Sequence, residues 1–396
     1  MKILAIETSC DETAIAIIDF NKKTRRVKVL ANLVSSQIEI HKPFGGVVPN
    51  LARREHEANL VPVLMEALRQ ARLANSKSES LISKQSQNRN LKNLNKILER
   101  ESTLREQFIK EILPLEVPKI DAIAVTHGPG LAPALWVGVN FARALSYIWN
   151  LPLIPVNHME GHIVTALLPE QKQKTTSYKL KAISYPALAL LVSGGHTELV
   201  LIKKLGHYKI VGETLDDAAG ECFDKVARIL DLPYPGGPEI SKLAEKQESR
   251  IMNKELRIKL PRPMLHSKDF NFSFSGLKTA VLYLTRDLKD SYLLPEVKAA
   301  IAKEFQDAAI EVLVTKTIKA ASKYKVKTII LGGGVAANKK LRSDLSKECK
   351  KNKLVCLLPE IKITGDNALM IALSAAITGK KVEPKKIEAK PNLRLN

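Results

Sequence analysis

The sequence predicts an α/β protein that consists of two similar lobes. Two stretches, residues 4–17 and 190–201, each combine an apolar strand, a short turn and a second apolar strand. Ser9 and Thr13 of the first stretch correspond to Ser193 and Thr197 of the second at a single offset of 184 residues. Either stretch alone is compatible with an ordinary β-hairpin, but their repetition half a chain apart indicates a duplicated unit.

A glycine loop provides the third observation. Residues 327–331 predict a strand, residues 332–334 are all glycine, and a helix is expected from about Ala336. Free N–H groups in a glycine-rich turn before a helix can hold a phosphate. Together, the two stretches and this loop predict the duplicated two-lobe fold of the actin/heat-shock-70/sugar-kinase (ASKHA) superfamily, with a nucleotide in the cleft between the lobes.

The composition limits the class of protein. A chain of 396 residues, of which 45% are hydrophobic, is long enough to bury two cores. The net charge of +21 favours a polyanionic partner, with RNA as the leading candidate, although general solubility explains such a charge nearly as well. Four cysteines without a C-x-x-C pair predict a reduced, cytoplasmic protein. We expect no signal peptide and no membrane span.

The order of the predicted elements assigns both ends of the chain to one lobe. Residues 1–150 are expected to form the N-terminal lobe, with strands at 1–18, 27–36 and 120–125 and helices from about residues 50 and 133. Residues 151–363 are expected to form the C-terminal lobe, with a long helix at 297–322. Residues 364–396 would rejoin the first lobe with a helix to about residue 378 and a basic, flexible tail.

Two polar stretches interrupt this order. Residues 76–113 are rich in Ser, Asn, Gln and Lys, and we interpret them as an insertion that is helical from about 91 to 112 and otherwise disordered. Residues 171–185 resemble a polar linker and are interpreted as a second, smaller insertion.

A histidine pair is the strongest indication of a metal site. Asn157 can cap a helix, which places His158 and His162 at positions i and i+4 on one helical face. Two imidazoles at this spacing can hold one divalent ion, and Asp366 could supply a third ligand. The same residues have ordinary explanations, because the histidines could be surface groups and Asp366 could simply cap the helix that follows it.

Ten short motifs stand in the order of one known family. They are residues 7–13 (ETSCDET), 45–49 (GGVVP), 128–131 (GPGL), 157–162 (NHMEGH), 191–197 (LVSGGHT), 223–225 (FDK), 234–238 (YPGGP), 272–278 (FSFSGLK), 332–338 (GGGVAAN) and 365–367 (GDN). On these motifs the chain resembles the bacterial tRNA N6-adenosine threonylcarbamoyltransferases, once described as glycoproteases. The resemblance covers nearly the whole chain outside the two insertions.

The resemblance implies a reaction and its site residues. The threonylcarbamoyl group of threonylcarbamoyl-AMP would move to the N6 amine of adenosine 37 in tRNAs that read ANN codons, which forms t6A. His158, His162 and Asp366 would hold one metal ion, iron(II) or else zinc. Asp11 and Glu12 are our candidates for positioning or proton transfer. The adenylate would be bound by Leu191, Val192, Ser193, Gly194, Gly195, Asp224, Gly237 and Asn338.

The resemblance also implies partners. Besides tRNA, whose backbone the basic surface would contact, these are a paralogous subunit that lacks the catalytic residues (TsaB-like) and a small ATPase (TsaE-like). The paralogue would pack near residues 54–70, and the insertion at 76–113 follows that helix directly. One departure is Asn50, because the family usually has Glu after the residues that correspond to 45–49.

Three other functions are less consistent with the sequence. A small-molecule kinase or ATPase of the same superfamily is the main alternative, but it does not need a histidine-ligated metal. A non-catalytic scaffold would be expected to lack the histidine pair and the glycine loops, which are present. A metalloprotease would need Glu directly after the first histidine, where this sequence has Met159.

Overall fold

The chain forms two compact units. The first consists of Met1–His41, Val47–Lys181 and Asp366–Leu395, and the second consists of Lys42–Gly46 and Ala182–Gly365. The structure is a computed structural model, and it describes residues 1–74, 84–169, 177–248 and 258–395.

Eleven strands and twelve α-helices lie within the described residues. The strands are β1 (Lys2–Glu7), β2 (Glu12–Asn21), β3 (Arg26–Ser36), β4 (Ala122–Gly128), β5 (Leu153–Asn157), β6 (Ser177–Lys179), β7 (Ala187–Val192), β8 (Thr197–Lys204), β9 (His207–Glu213), β10 (Thr328–Gly332) and β11 (Val355–Leu357). The helices are α1 (Ile38–His41), α2 (Pro49–Gln70), α3 (Lys84–Ile97), α4 (Ser102–Gln107), α5 (Ala132–Trp149), α6 (His158–Thr165), α7 (Ala219–Ile229), α8 (Gly236–Glu248), α9 (Ser275–Leu288), α10 (Pro295–Lys323), α11 (Lys339–Lys351) and α12 (Ala368–Ile377).

Each unit is built on one mixed sheet, and the two sheets share a topology. The first has the order β5-β4-β1-β2-β3-β6, and the second has the order β11-β10-β7-β8-β9. In both, the first three strands of the unit are antiparallel and the next two run parallel to the first. The offset of 184 residues also preserves the register, because the pair Ile6 and Ile15 becomes the pair Leu190 and Leu199. The expected duplicated α/β fold is confirmed.

Apolar residues form these central strands because both sheet faces are covered by helices. β7 is buried at every position, and β1 is buried at every position after Lys2. The core of the first unit includes Leu4, Ile6, Leu60 and Phe141, and that of the second includes Leu188, Leu190, Phe305 and Ile329. The residues that follow the buried strands are therefore held on rigid supports.

The boundary between the units differs from the predicted one at residue 150. β5 pairs in parallel with β4, and the following α6 packs against α12, so both elements belong to the first unit. The structure consequently changes unit after Lys181. The sequence did not reveal this, because sheet pairing over such a distance leaves no local pattern.

The first insertion is part of the fold of its unit. α3 begins at Lys84, earlier than predicted, while residues 75–83 lie outside the described ones. Gln107 Nε2 on α4 donates a hydrogen bond to the Ala58 carbonyl of α2 at 3.2 Å. Asn140 Nδ2 on α5 donates to Glu101 Oε1 at 3.2 Å. The segment after residue 97 therefore covers part of α2 and α5.

Two stretches expected to be loose are ordered in the first unit. Part of the predicted linker at 171–185 forms β6, which pairs antiparallel with β3, whereas residues 170–176 lie outside the described ones. The tail after residue 379 is not free, because Val382 pairs with Leu153 and the Lys390 N–H donates to the His127 carbonyl at 2.6 Å. Both predictions were wrong because backbone pairing, which polar sequences also form, holds these segments.

Within the described residues, no helix combines the length and the apolar character that a bilayer crossing requires.

Candidate metal centre and substrate site

The two histidines of α6 face each other in the first unit. Asn157 Oδ1 accepts hydrogen bonds from the N–H groups of Met159 at 2.9 Å and Glu160 at 3.4 Å, so the helix begins at His158. His158 and His162 then share one face, as their spacing predicts. Their ring centroids are 4.7 Å apart with an interplanar angle of 87°, and the residues are only 6% and 1% exposed. They are not surface histidines.

Asp366 joins this pair, and it does not cap α12. The cap is Asn367, whose Oδ1 accepts a hydrogen bond from the Met370 N–H at 3.2 Å. Asp366 Oδ1 instead lies 3.4 Å from His158 Nε2 and 3.2 Å from His162 Nε2. One potential ligand atom from each residue falls within 4.8 Å of the other two. Because Asn367 caps α12, the Asp366 carboxylate is available to contact the two histidines.

Glu7, at the end of β1, supports His158 from the opposite side of its ring. Its Oε2 lies 3.1 Å from His158 Nδ1 and accepts a hydrogen bond from the Thr126 hydroxyl at 2.6 Å. Its Oε1 accepts from the Ser9 N–H at 2.6 Å, and Ser9 Oγ is itself 3.1 Å from His158 Nδ1. Since Glu7 is fully buried, this arrangement fixes the imidazole and aims its Nε2 at Asp366.

Charge interactions couple these three groups. Burial would lower the pKa of His158, but the Asp366 and Glu7 carboxylates raise it well above its usual value. Burial would raise the pKa of both carboxyl groups, but the neighbouring His158 lowers the pKa of Glu7 and that of Asp366. The buried Glu7 carboxylate and the partly exposed Asp366 carboxylate thus favour a positive charge at this point of the fold.

The donor set fits a metal ion. Within the described part of the chain, His162 Nε2 is buried and has no hydrogen bond of good geometry, although Asp366 Oδ1 is 3.2 Å away. A buried nitrogen of this kind is costly unless it has a partner. Two imidazoles and one carboxylate are ligands that iron and zinc accept in proteins. This group could therefore hold a metal ion.

Asp11 is the last residue of the turn between β1 and β2, and Glu12 is the first residue of β2. Asp11 is buried, and Glu12 is partly exposed at the start of β2. Burial raises the pKa of Glu12 well above its usual value, and the Asp366 and Asp11 carboxylates raise it further. Glu12 therefore lies within electrostatic range of Asp366. The catalytic role of Asp11 and Glu12 stays a prediction.

The remaining predicted residues lie in the second unit, where the turn after β7 meets two glycines. Leu191 and Val192 have buried side chains, so only their backbone could face a ligand. Gly333 has φ +90°, and a Cβ at this position would lie 2.3 Å from the Val192 carbonyl oxygen. The Gly220 N–H, in α7, donates to the Ser193 carbonyl at 3.2 Å. The turn, α7 and the glycine loop are thus in contact.

The glycines of this turn leave its backbone open. Gly194 and Gly195 are exposed, and no atom lies within 4 Å of the position that a Cβ would occupy at either residue. Gly237, near the start of α8, is partly exposed and also has no atom within 4 Å of the position that a Cβ would occupy. A ligand can therefore approach the main chain closely at each of the three positions.

Asp224, on α7, lines a cavity within the second unit. Its Oδ1 accepts a hydrogen bond from the Gly236 N–H at 2.7 Å. Burial raises the pKa of Asp224, although the N–H groups of Gly236 and Gly237 partly oppose this. The cavity has a volume of about 490 Å³ and is also lined by Lys42, Phe44, Arg228 and Tyr234.

Asn338 has a structural task of its own. Its Oδ1 accepts a hydrogen bond from the Leu341 N–H at 2.9 Å and so caps α11. Its Nδ2 donates to Gln306 Oε1 at 2.8 Å and to Ser241 Oγ at 3.0 Å. The amide is therefore fixed in orientation between α8, α10 and α11.

The residues that support the histidines were not predicted to do so from the sequence. Glu7 was noted only as part of a motif, Ser9 was noted also as the counterpart of Ser193, and Thr126 was not singled out. One signal was available for Glu7, because a carboxylate that ends an otherwise apolar strand needs a partner when it is buried. No comparable signal marks Thr126, whose partner is 119 residues away in the chain.

Comparison with known proteins gives a consistent result. The family model described as tRNA N6-adenosine threonylcarbamoyltransferase (TsaD) matches residues 28–81 and 102–373. The protein of that name from Bacillus subtilis is 44% identical over 96% of this chain and 91% of its own length. Those from Thermosipho africanus and Ralstonia pickettii are each 41% identical, over 100% and 95% of this chain and 100% and 91% of their own lengths.

The family model leaves residues 82–101 unmatched, and this gap falls inside the first insertion. The match covers the histidine pair, Asp366 and all residues expected to bind the adenylate. On this match, and on relatives of the same name that align over nearly their full length, the chain belongs to the tRNA N6-adenosine threonylcarbamoyltransferase family.

Proposed function

We propose that this protein forms t6A by transferring the threonylcarbamoyl group of threonylcarbamoyl-AMP to the N6 amine of adenosine 37 in tRNAs that read ANN codons. The observation that carries the proposal is the group of His158, His162 and Asp366, in which both histidines are buried. A kinase of the same superfamily has no need of such a group, whereas a metal-assisted transfer to an amine does.

The three residues would hold one divalent ion, iron(II) or else zinc. Such an ion, when bound, supplies Lewis-acid stabilisation of charge on a phosphate or carbonyl oxygen. The chain contributes the geometry of the site. Glu7 and Ser9 hold the Nδ1 side of His158, which leaves its Nε2 for coordination. Asn367 starts α12 without using the Asp366 carboxylate.

The second unit would bind the adenylate. The open backbone at Gly194, Gly195 and Gly237 would let the phosphate and the ribose approach N–H groups. Leu191 and Val192 end β7, and Ser193 begins the turn that carries Gly194 and Gly195. Asp224 faces a cavity in which its carboxylate can accept a hydrogen bond from a ribose hydroxyl. Asn338, whose side-chain amide is fixed by its hydrogen bonds, would also contact the nucleotide.

The transfer itself exchanges one bond for another. The N6 nitrogen of the adenosine attacks the carbamoyl carbon, the bond from that carbon to the phosphate oxygen breaks, and AMP leaves. The N6 nitrogen loses a proton in this step. Asp11 and Glu12, on the turn after β1, are the carboxylates that we propose for positioning the amine or accepting this proton.

The proposal includes partners and a location. The protein would act on tRNA in the cytoplasm, together with the paralogous TsaB-like subunit and the small TsaE-like ATPase. The surface of α2 on which the paralogue would pack is partly covered in this chain. α4 contacts α2 near Ala58, and the Arg53 guanidinium donates to the Arg100 carbonyl, so the first insertion occupies part of that helix.

The test is transfer of labelled threonine from threonylcarbamoyl-AMP to an ANN-decoding tRNA, with the partner proteins supplied. Wild type should label the tRNA, and His158→Ala should reduce the rate on the order of 100-fold or more, because it removes a metal ligand. His207→Ala, a change at an exposed histidine of β9, is the matched control and should label like wild type.

No labelling by wild type with the full partner set would overturn the transfer reaction. The kinase alternative would then be tested by ATP-dependent phosphorylation of small molecules. Equal labelling by His158→Ala and wild type would instead remove the metal group from the mechanism.

A further inference from the structure

The turn between β1 and β2 is held by three hydrogen-bond donors. It carries both candidate carboxylates, Asp11 and Glu12. Successive carbonyl oxygens of the turn each accept one hydrogen bond: Ser9 from the Leu131 N–H at 2.8 Å, Cys10 from His56 Nε2 at 3.0 Å, and Asp11 from the Gln37 N–H at 2.9 Å. Two of these donors belong to the main chain. The imidazole of His56 is the side-chain donor among the three.

The contacts of His56 define which ring nitrogen carries the proton. His56 is fully buried on α2, and its Nδ1 lies 2.7 Å from the Thr13 hydroxyl and 3.3 Å from Gln37 Nε2. An amide NH₂ can only donate, so Nδ1 is an acceptor and the proton resides on Nε2. His56 therefore donates to the Cys10 carbonyl as a neutral imidazole.

Gln37 extends this arrangement to a second buried histidine. Its Oε1 accepts a hydrogen bond from His41 Nε2 at 3.1 Å, while its Nε2 also reaches the Ala52 carbonyl at 3.4 Å. His41 Nδ1 in turn accepts from the Val48 N–H at 3.3 Å, next to the start of α2. His41 and Gln37 are buried like His56. A continuous hydrogen-bonded chain thus links the start of α2 to the turn after β1.

The turn at the end of this hydrogen-bonded chain is also in contact with the candidate metal centre. The turn that it holds also contains Ser9, whose N–H and hydroxyl contact Glu7 and His158. A displacement of about 1 Å in a group that positions a substrate can reduce turnover on the order of 100-fold. Buried polar networks that are fully satisfied also favour a single conformation.

We propose that His56 is a positioning residue for the transfer reaction and that it acts through the Cys10 carbonyl to fix the turn that presents Asp11 and Glu12. This inference rests on the proposed function, because it assumes that these carboxylates serve the transfer.

Two substitutions separate positioning from folding. His56→Leu fills a similar volume but cannot donate to Cys10 or accept from Thr13, and we expect turnover per folded molecule to fall ~10–100-fold. The KM for threonylcarbamoyl-AMP and the bound metal should not change. His56→Gln can make both hydrogen bonds and should recover most of the turnover. Ser146→Ala removes a partly buried hydrogen bond to the Leu151 carbonyl elsewhere in the same unit and should leave turnover unchanged.

A second measurement does not depend on activity. Cys10 is a partly buried free cysteine within the turn, and its alkylation by iodoacetamide can be followed by peptide mass spectrometry. We expect several-fold faster alkylation of Cys10 in His56→Leu than in wild type, His56→Gln or Ser146→Ala. The buried thiols of Cys222 and Cys349 serve as internal references.

The outcomes are distinct. Turnover of His56→Leu within twofold of wild type, or Cys10 alkylation at the wild-type rate, would overturn the inference. Loss of metal from His56→Leu would also overturn it, because the effect would then come from the metal centre. A wild type that does not transfer would overturn the proposed function, and Cys10 alkylation would still decide whether His56 holds the turn.

Discussion

Glu7 joins the first sheet to the metal centre. It is the last residue of β1, and its carboxylate contacts Ser9, Thr126 and His158 at distances between 2.6 and 3.1 Å. Carboxylates that orient a metal-binding imidazole typically change metal affinity 10–100-fold when they are replaced. At the scale of single residues, the site therefore depends on groups that are not themselves ligands.

Glu7→Gln should weaken metal binding by ~10–100-fold, because a neutral amide polarises and orients His158 less well than a carboxylate. The measurement is competition for zinc with a chromophoric chelator. The control is Glu101→Gln, which makes the same change at a buried carboxylate that accepts a hydrogen bond from Asn140. An unchanged affinity in Glu7→Gln would show that Glu7 has no part in binding.

His56 should make the first unit sensitive to acid. Burial lowers the pKa of His56 from 6.5 to about 4, so between these values the unfolded chain binds a proton that the folded chain does not. The free energy of unfolding should therefore decrease as the pH falls through this window, by roughly 3 kcal/mol in total. Urea titrations between pH 4 and pH 7 would measure this. His56→Gln should lose that part of the pH dependence, and identical slopes in both proteins would contradict it.

At the scale of elements, the glycine loop after β10 can lie against the turn after β7 because residue 333 is glycine. Gly333 adopts φ +90° with its Cα against the Val192 carbonyl, while its neighbour Gly334 has open space around it. A left-handed conformation in a residue other than glycine costs on the order of 1–3 kcal/mol. The contact between the glycine loop and the turn after β7 should therefore depend on glycine at position 333 but not at position 334.

Gly333→Ala should lower the free energy of unfolding by at least about 1–3 kcal/mol and weaken the binding of threonylcarbamoyl-AMP. Gly334→Ala, the adjacent control, should change neither by a comparable amount, because no atom lies within 4 Å of its added Cβ. Chemical denaturation and calorimetric titration would measure the two effects. Equal effects of the two substitutions would refute the conformational argument.

Elements with a strong apolar pattern were predictable, and short or polar ones were not. The prediction for the long helix at 297–322 lies within two residues of the observed α10 at either end, because its apolar positions recur over many turns. β6 has three residues and a polar neighbourhood, so it was taken for a linker. Asp366 and Asn367 are both good caps, and only the structure shows that Asn367 has this task.

In the candidate site, residues close together in the sequence were predictable as neighbours, and residues far apart in the sequence were not. His158 and His162 are one helical turn apart, so their association follows from local geometry. Glu7 and His158 are 151 residues apart, and no local rule connects them. The eight residues expected to bind the adenylate came from resemblance, and within the second unit the structure shows open backbone at three of them.

For the whole molecule, the most informative feature is the repeated topology. The same order of five strands occurs in both units, and the first sheet adds β6 at one edge. A single offset relates the central hairpins residue by residue. The predicted duplication therefore extends to the hydrogen-bond register. The chain path differs from a simple tandem repeat, because the first unit contains segments from both ends of the chain.

This chain path has a consequence for biosynthesis. Asp366 and α12, which packs against α6 and β1, leave the ribosome only after the entire second unit has been made. The second unit can therefore close on itself while the first still lacks a helix and the third potential ligand of its metal centre. The nascent chain must keep His158 and His162 in an unfinished site throughout this interval. A metal ion held by all three residues could therefore bind only after Asp366 has emerged, late in the synthesis of the chain.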